Sequence, residues 1–249
     1  MRFPVLVFLL SFLGMSLSAK IGIGLRKRLI PMDKEGREDF SLFQGATLTL
    51  LGIIIGFSFA MAASRYDQRK NYEEEEANAI GTEFLRVDLL PATEAKTIKD
   101  LLRKYLDQRI AFYKARDIGR VEQINRNTAQ VQTELWTVVR TGAAAQPTPL
   151  AALALSGMND VLNSQGYTQA AWWNHIPVAA WALMEAIAFF ASLLIGIGAH
   201  RASTLLWVAL PLVVSIAFFL IADLDSPRGG LIQMHPQNLS TLSKSLNAR

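Results

Sequence analysis

The chain has 249 residues, 51% of them hydrophobic and 18% charged, a balance more apolar than that of an ordinary soluble domain. The absence of cysteine excludes disulfides, thiolate metal sites and cysteine nucleophiles. A net charge of +4 is modest, and residues 64–175 hold 14 basic against 14 acidic side chains; with no nucleic-acid motif beside the basic clusters, a nucleic-acid partner is not expected.

Four stretches are long and apolar enough to cross a hydrocarbon core, which takes roughly 20 residues of helix. They are Phe3 to Leu25, Leu42 to Ala63, Ile176 to Ala199 and Ser203 to Ala222. None shows the alternation that a membrane β-barrel requires. The fold class expected is therefore all-α, with four transmembrane helices and a helical bundle inserted between the second and third. The first stretch has the outline of a leader peptide, with Arg2 before it and Ser16, Ser18 and Ala19 late in it. Apolar character resumes through Ile21, Ile23 and Leu25 to the basic run Arg26, Lys27 and Arg28, which suits an uncleaved anchor better.

The second stretch continues as "GFSFAMAASRYDQRKNYEEEEANAIGTEF" with no proline to break it. A single helix is predicted from Leu42 to Leu90, about 70 Å long at 1.5 Å per residue, stopping at Pro91. Glu73 to Glu76 are adjacent, so their carboxylates point around a helix instead of converging. A solvated face is expected there and not a cation site. Beyond them Ala77, Ile80, Phe84 and Leu85 recur at helical spacing.

The next helix carries Ile98, Leu101, Leu102, Tyr105, Leu106, Arg109 and Phe112 or Tyr113 on one stripe. A third runs from about Ile118 to Val139, and "RTGAAAQPTPL" reads as a loop through Gly142, Pro147 and Pro149. A fourth, from about Leu150 to Ala171, feeds into the third span, with Trp172 and Trp173 expected at a membrane interface. The division predicted is 1–63 for the first helix pair, 64–175 for the extramembrane helices, 176–222 for the second pair and 223–249 for a turn and tail.

Glu185 is the ionisable side chain that falls well inside a predicted span. Such a group faces a bundle interior, pairs or takes up a proton, because an ionised carboxylate in lipid costs about 2.5–3.5 kcal/mol or more. Arg65 and Asp67 stand where the second span ends, and Asp223, Asp225 and Arg228 where the fourth does. If those ends are neighbours, the five form a junctional charge network; "DLDSPRGG" also reads as a turn. No phosphate-binding loop, HExxH or GxSxG occurs, and His175, His200 and His235 are scattered, so neither an enzyme nor a resident metal or cofactor is expected.

The block "GFSFAMAASRY", with Gly-Phe, seven residues and then Arg before an aromatic, resembles the second transmembrane helix of the bestrophin chloride channels. With "EANAIGTEFLRVDLLP", "LLRKYLDQRIAFY" and "FLIADLDSPRGGLI" in order, nearly the whole chain resembles the bacterial bestrophin-like membrane family. The resemblance implies an anion channel built as a cyclic homo-oligomer, a pentamer, in a bacterial inner membrane. It places an apolar neck at Thr49, Ile53 and Phe57, whose i, i+4, i+8 spacing shares one helix stripe. Lipid, inorganic ions and further copies of the chain are the partners implied. The alternative is a non-conducting scaffold or sensor whose helical domain binds a partner. Thr49 stands where bestrophins have an aliphatic residue, Tyr66 where they have tryptophan, and only Asp223 and Asp225 answer to the acidic calcium clasp of the animal proteins. The layout puts both termini and the bundle on one face, which the resemblance makes cytosolic. Arg2, Arg65, Arg69, Lys70 and Arg228 fall on that face against Lys20, Arg26, Lys27, Arg28, Lys34, Arg37 and Arg201 on the other, a mild lean the opposite way. Four of the opposing charges share a loop with Asp33, Glu35, Glu38 and Asp39.

Overall fold

The structure, a computed structural model, describes residues 3–26, 34–198 and 204–248. Arg2, Lys27, Arg28, Asp33, Ala199, His200, Arg201 and Ser203, which enter the readings of the chain start, the span ends and the charge count, lie outside the described residues. Among those residues there are eight α-helices and no strand: α1 Pro4–Arg26, α2 Lys34–Arg86, α3 Ala92–Lys114, α4 Ile118–Ala145, α5 Pro149–Trp173, α6 Val178–Gly198, α7 Thr204–Asp225 and α8 Gln237–Asn247.

The 53 residues of α2 contain no proline, and they run unbroken for about 80 Å at the usual rise. A 3-10 turn, Val87–Leu89, tightens the end, and Leu90 is extended (φ −98°, ψ 164°) because the ring of Pro91 excludes helical geometry from the residue before it. Helical segments long and apolar enough to cross a membrane lie within Pro4–Arg26, Lys34–Leu89, Pro149–Gly198 and Val208–Asp225.

The chain forms two compact units, Met1–Tyr66 with His175–Ile232, and Asp67–Asn174 with Gln233–Arg249. In the first, α1 packs along α6 and α7. The approach of α1 to α6 depends on Gly22 and Gly196: a Cβ on Gly22 would stand 2.2 Å from the Leu193 carbonyl oxygen, and one on Gly196 would stand 2.1 Å from that of Ala19. Met15, Leu51, Trp181, Met184, Val214 and Phe218 make up part of its buried core. Outside that core Leu6, Leu10, Leu13, Leu17, Leu183, Phe190, Val213 and Ile216 are exposed. Apolar surface of that extent is suited to lipid, which asks no hydrogen bonds of a side chain.

In the second unit α3 packs against α4 and α8, and α4 against α5. The Asp117 carboxylate accepts from Arg120 N at the start of α4, and the Thr148 hydroxyl accepts from Ala151 N at the start of α5, where Pro149 occupies the first turn. The stretch expected to be a loop is mostly helix. Ala143 to Ala145, strong helix formers, prolong α4, and Gly142 is buried against Glu94 and Leu90, which leaves a connection of only 146–148. Trp172 is also unlike its expectation: it is 4% exposed and packs edge-on against Phe112 and Tyr113 at centroid distances of 5.1 and 5.4 Å, whereas Trp173 is exposed. The tail contains α8, which buries Leu239 and Leu246.

Candidate functional site

Around α2, the side chains of the first unit divide by helix face. Leu51, Ser58 and Ala62 are buried. Thr49, Ile53 and Phe57 share an exposed face, where Ile53 is 51% and Phe57 72% accessible. The Thr49 hydroxyl donates to the Gly45 carbonyl at 2.9 Å, so its polar atom is satisfied within the helix and its methyl is left outward. A Cβ added at Gly45, Gly52 or Gly56 would meet nothing within 4 Å. The geometry therefore brings all three predicted neck residues onto one open stripe.

Glu185 on α6 accepts a hydrogen bond from the Ser11 hydroxyl on α1 through Oε1. Its Oε2 is buried with no hydrogen-bond partner among the described residues. Where α2 leaves the first unit, Arg65 Nη1 stands 3.5 Å from Asp225 Oδ1 at the end of α7. Asp225 also accepts from Ile176 N at 3.1 Å, and His175 Nδ1 lies 2.9 Å from the Asp225 carbonyl oxygen. Asp223 turns the other way, its carboxylate accepting from Leu231 N at 2.6 Å and Ile232 N at 2.7 Å and so closing the 226–232 turn. Arg228 is half-buried and Asp67 exposed. Of the five junctional residues, the structure thus joins Arg65 to Asp225, while Asp223 serves the turn.

The glutamates at 73 to 76 require a correction. Glu74 and Glu75 are exposed, but Glu73 and Glu76 are buried, because residues a turn apart return to the face that meets the other helices of the second unit. Glu76 is ion-paired with Arg109 of α3, both side chains fully buried, and accepts from the hydroxyls of Tyr113 at 3.3 Å and Thr168 at 3.2 Å. Burial pushes the phenols of Tyr105 and Tyr113 well above their usual range, with the Glu76 carboxylate adding to the rise. Burial alone would lower the Arg109 pKa, but the Glu76 carboxylate together with the Tyr105 and Tyr113 phenols raises it on balance. Glu73 accepts from Leu239 N at 2.9 Å and Asn238 Nδ2 at 2.7 Å and thereby caps the start of α8. One turn before Glu73, Arg69 Nε donates to the Ala171 carbonyl and Nη2 to that of Asn174, satisfying the end of α5. The sequence signal for this buried polar seam was the arginine at 109 within an otherwise apolar stripe.

A family model, the Bestrophin-like domain, matches residues 14–239. No curated protein matches the chain. Among solved structures, a bacterial bestrophin homologue from Klebsiella pneumoniae is similar at 17% identity and a TM-score of 0.64, over 98% of this chain and 97% of that one. A variant of it carrying a leucine-to-threonine substitution gives 16% and 0.67 over 98% of both chains. One with an isoleucine-to-threonine substitution gives 16% and 0.68 over 98% and 99%. The all-helical fold is thus bestrophin-like, and with its long apolar helices the chain is an integral membrane protein.

Proposed function

Because the chain belongs to the Bestrophin-like family, we propose that it is a membrane ion channel, a cyclic homo-oligomer in which α2 of each copy faces a central pathway. The observation that carries this reading is the two-sided character of α2 in the first unit. One side is sealed by Leu51 and Ala62, while Thr49, Ile53 and Phe57 stand open on the other. A stripe packed tightly against its own chain would leave nothing to line a pore. A ring of such stripes forms an apolar constriction that dewets when narrow and conducts when spread. The bare surface at Gly45, Gly52 and Gly56 lets helices of adjacent copies approach closely. A closed ring is needed because four spans are too few to enclose a pathway alone, and the resemblance to bestrophins supports a ring of five.

Four spans with the helical region between the second and third, anions as the favoured permeant, a bacterial inner membrane and a cytoplasmic location for residues 64–175 complete the proposal. The test is chloride and potassium flux in proteoliposomes, comparing wild type with Phe57→Ala. Widening the neck is expected to raise flux severalfold, and absence of flux from both proteins refutes conduction. Protease protection of residues 64–175 in intact spheroplasts tests orientation.

A second reading, a non-conducting scaffold whose helical region binds a partner, draws on Leu85, Leu150 and Leu153, which are exposed large apolar side chains of the second unit. It predicts no flux and a complex that survives purification.

A further inference from the structure

Glu83 lies in the second unit, one turn before the end of α2, and its side chain has no exposed surface. Neither carboxyl oxygen has a hydrogen-bond partner among the described residues. It rests against α5 at Gly157, where an added Cβ would stand 2.0 Å from Glu83 Oε2 and 2.8 Å from Arg86 Nη1. No residue but glycine leaves room for the carboxyl group at that point. The charged groups acting on it are Arg86 on its own helix and Asp160 on α5. Those two are drawn toward each other, Arg86 Nη1 standing 3.8 Å from Asp160 Oδ2 on the exposed side of the contact. A carboxylate shut away from donors is costly, and a carboxylic acid is much less so.

We propose that Glu83 is a proton-binding site at the contact of α2 with α5: the neutral carboxyl group closes over Gly157, and its ionised form swings outward to Arg86, takes that cation from Asp160 and loosens α5. The site is independent of whether the chain conducts. Burial pushes the Glu83 carboxyl up to about 8, with Arg86 opposing the rise and Asp160 adding to it. The sign of the coupling follows from where the proton is held. Between the ordinary value of 4.5 and about 8 the folded chain keeps a proton that the unfolded chain releases. Its contribution to stability is therefore complete below 4.5 and is lost as pH rises through about 8.

The experiment is infrared difference spectroscopy of the full chain in detergent between pH 6 and pH 10, with thermal unfolding followed over the same range. The wild type is expected to lose a protonated-carboxyl band with a midpoint near neutral to mildly alkaline pH. That band is expected to be missing in Glu83→Gln, whose melting should also lack the decline between pH 6 and about 8. Asp160→Asn, an exposed change, is expected to lower the midpoint by on the order of one pH unit, which keeps the test available if Glu83→Gln does not fold. Identical difference spectra for wild type and Glu83→Gln overturn the proposal. So does a midpoint unmoved by Asp160→Asn.

Discussion

Separating Glu76 from Arg109 should destabilise the second unit in two different ways, depending on which partner goes. Both side chains are fully buried, and removing one member of such a pair costs about 3–5 kcal/mol because the other is left charged and unpaired. Glu76 keeps two further donors, the hydroxyls of Tyr113 and Thr168. Arg109→Met is therefore expected to cost about 2–3 kcal/mol, two hydrogen bonds of roughly 1 kcal/mol each offsetting part of the loss. A guanidinium cannot shed its proton, so Glu76→Gln is expected to cost about 4–5 kcal/mol at every pH. The double variant should lose less than the sum of the singles by at least about 2 kcal/mol. Denaturant unfolding read by tryptophan fluorescence measures all three, and Trp172, packed on Phe112 and Tyr113 beside the pair, is a suitable reporter. Additive effects, or single substitutions that each cost under about 1 kcal/mol, would show that the pair is not a buried and coupled one.

Gly22→Ala places a methyl 2.2 Å from the Leu193 carbonyl oxygen and is expected to abolish a monodisperse peak in size-exclusion chromatography. Gly24→Ala, where nothing lies within 4 Å, should leave the profile unchanged; equal profiles for the two would refute the close approach of α1 to α6. Glu73→Ala removes the cap of α8 at a cost of about 1 kcal/mol, read as faster hydrogen exchange confined to residues 237–247. Glu185→Gln keeps an acceptor for the Ser11 hydroxyl but removes the ionisable group, and is expected to change ion flux or oligomer size. Wild-type values of both would assign Glu185 to packing alone.

The apolar stretches and the unbroken α2 were legible because each rests on local information, length and the absence of proline, whereas positions 49, 53 and 57 were picked out by the bestrophin resemblance, helical spacing only placing them on one face. What was not legible depends on which face of a helix meets which neighbour. Four consecutive glutamates look uniform in a sequence. The successive 100° rotations of a helix turn Glu73 and Glu76 inward and leave Glu74 and Glu75 outside. Inside, Glu76 is met by the Arg109 cation across the packing and by the hydroxyls of Tyr113 and Thr168. The α8 segment hid for a related reason: Leu239, Leu242 and Leu246 have helical spacing, but eleven mostly polar residues do not hold a helix in isolation. The alanines at 143 to 145 were read with the prolines that follow them, although helix propensity changes within that stretch.

That α8 belongs with residues 67–174 has a consequence for how the chain is made. The ribosome delivers Glu73, Glu76 and the whole of α3 to α5 first, then the segment His175–Ile232 that belongs with the other unit, and only afterwards the residues that Glu73 caps. At 5–20 residues per second, roughly 60 intervening residues impose a delay of several seconds. Throughout that interval the surface destined for Leu239 and Leu246 stands uncovered. Because α8 is translated after His175–Ile232, it is the lid on a stretch made well before it, so a nascent chain truncated before α8 should be the species that chaperones and proteases encounter.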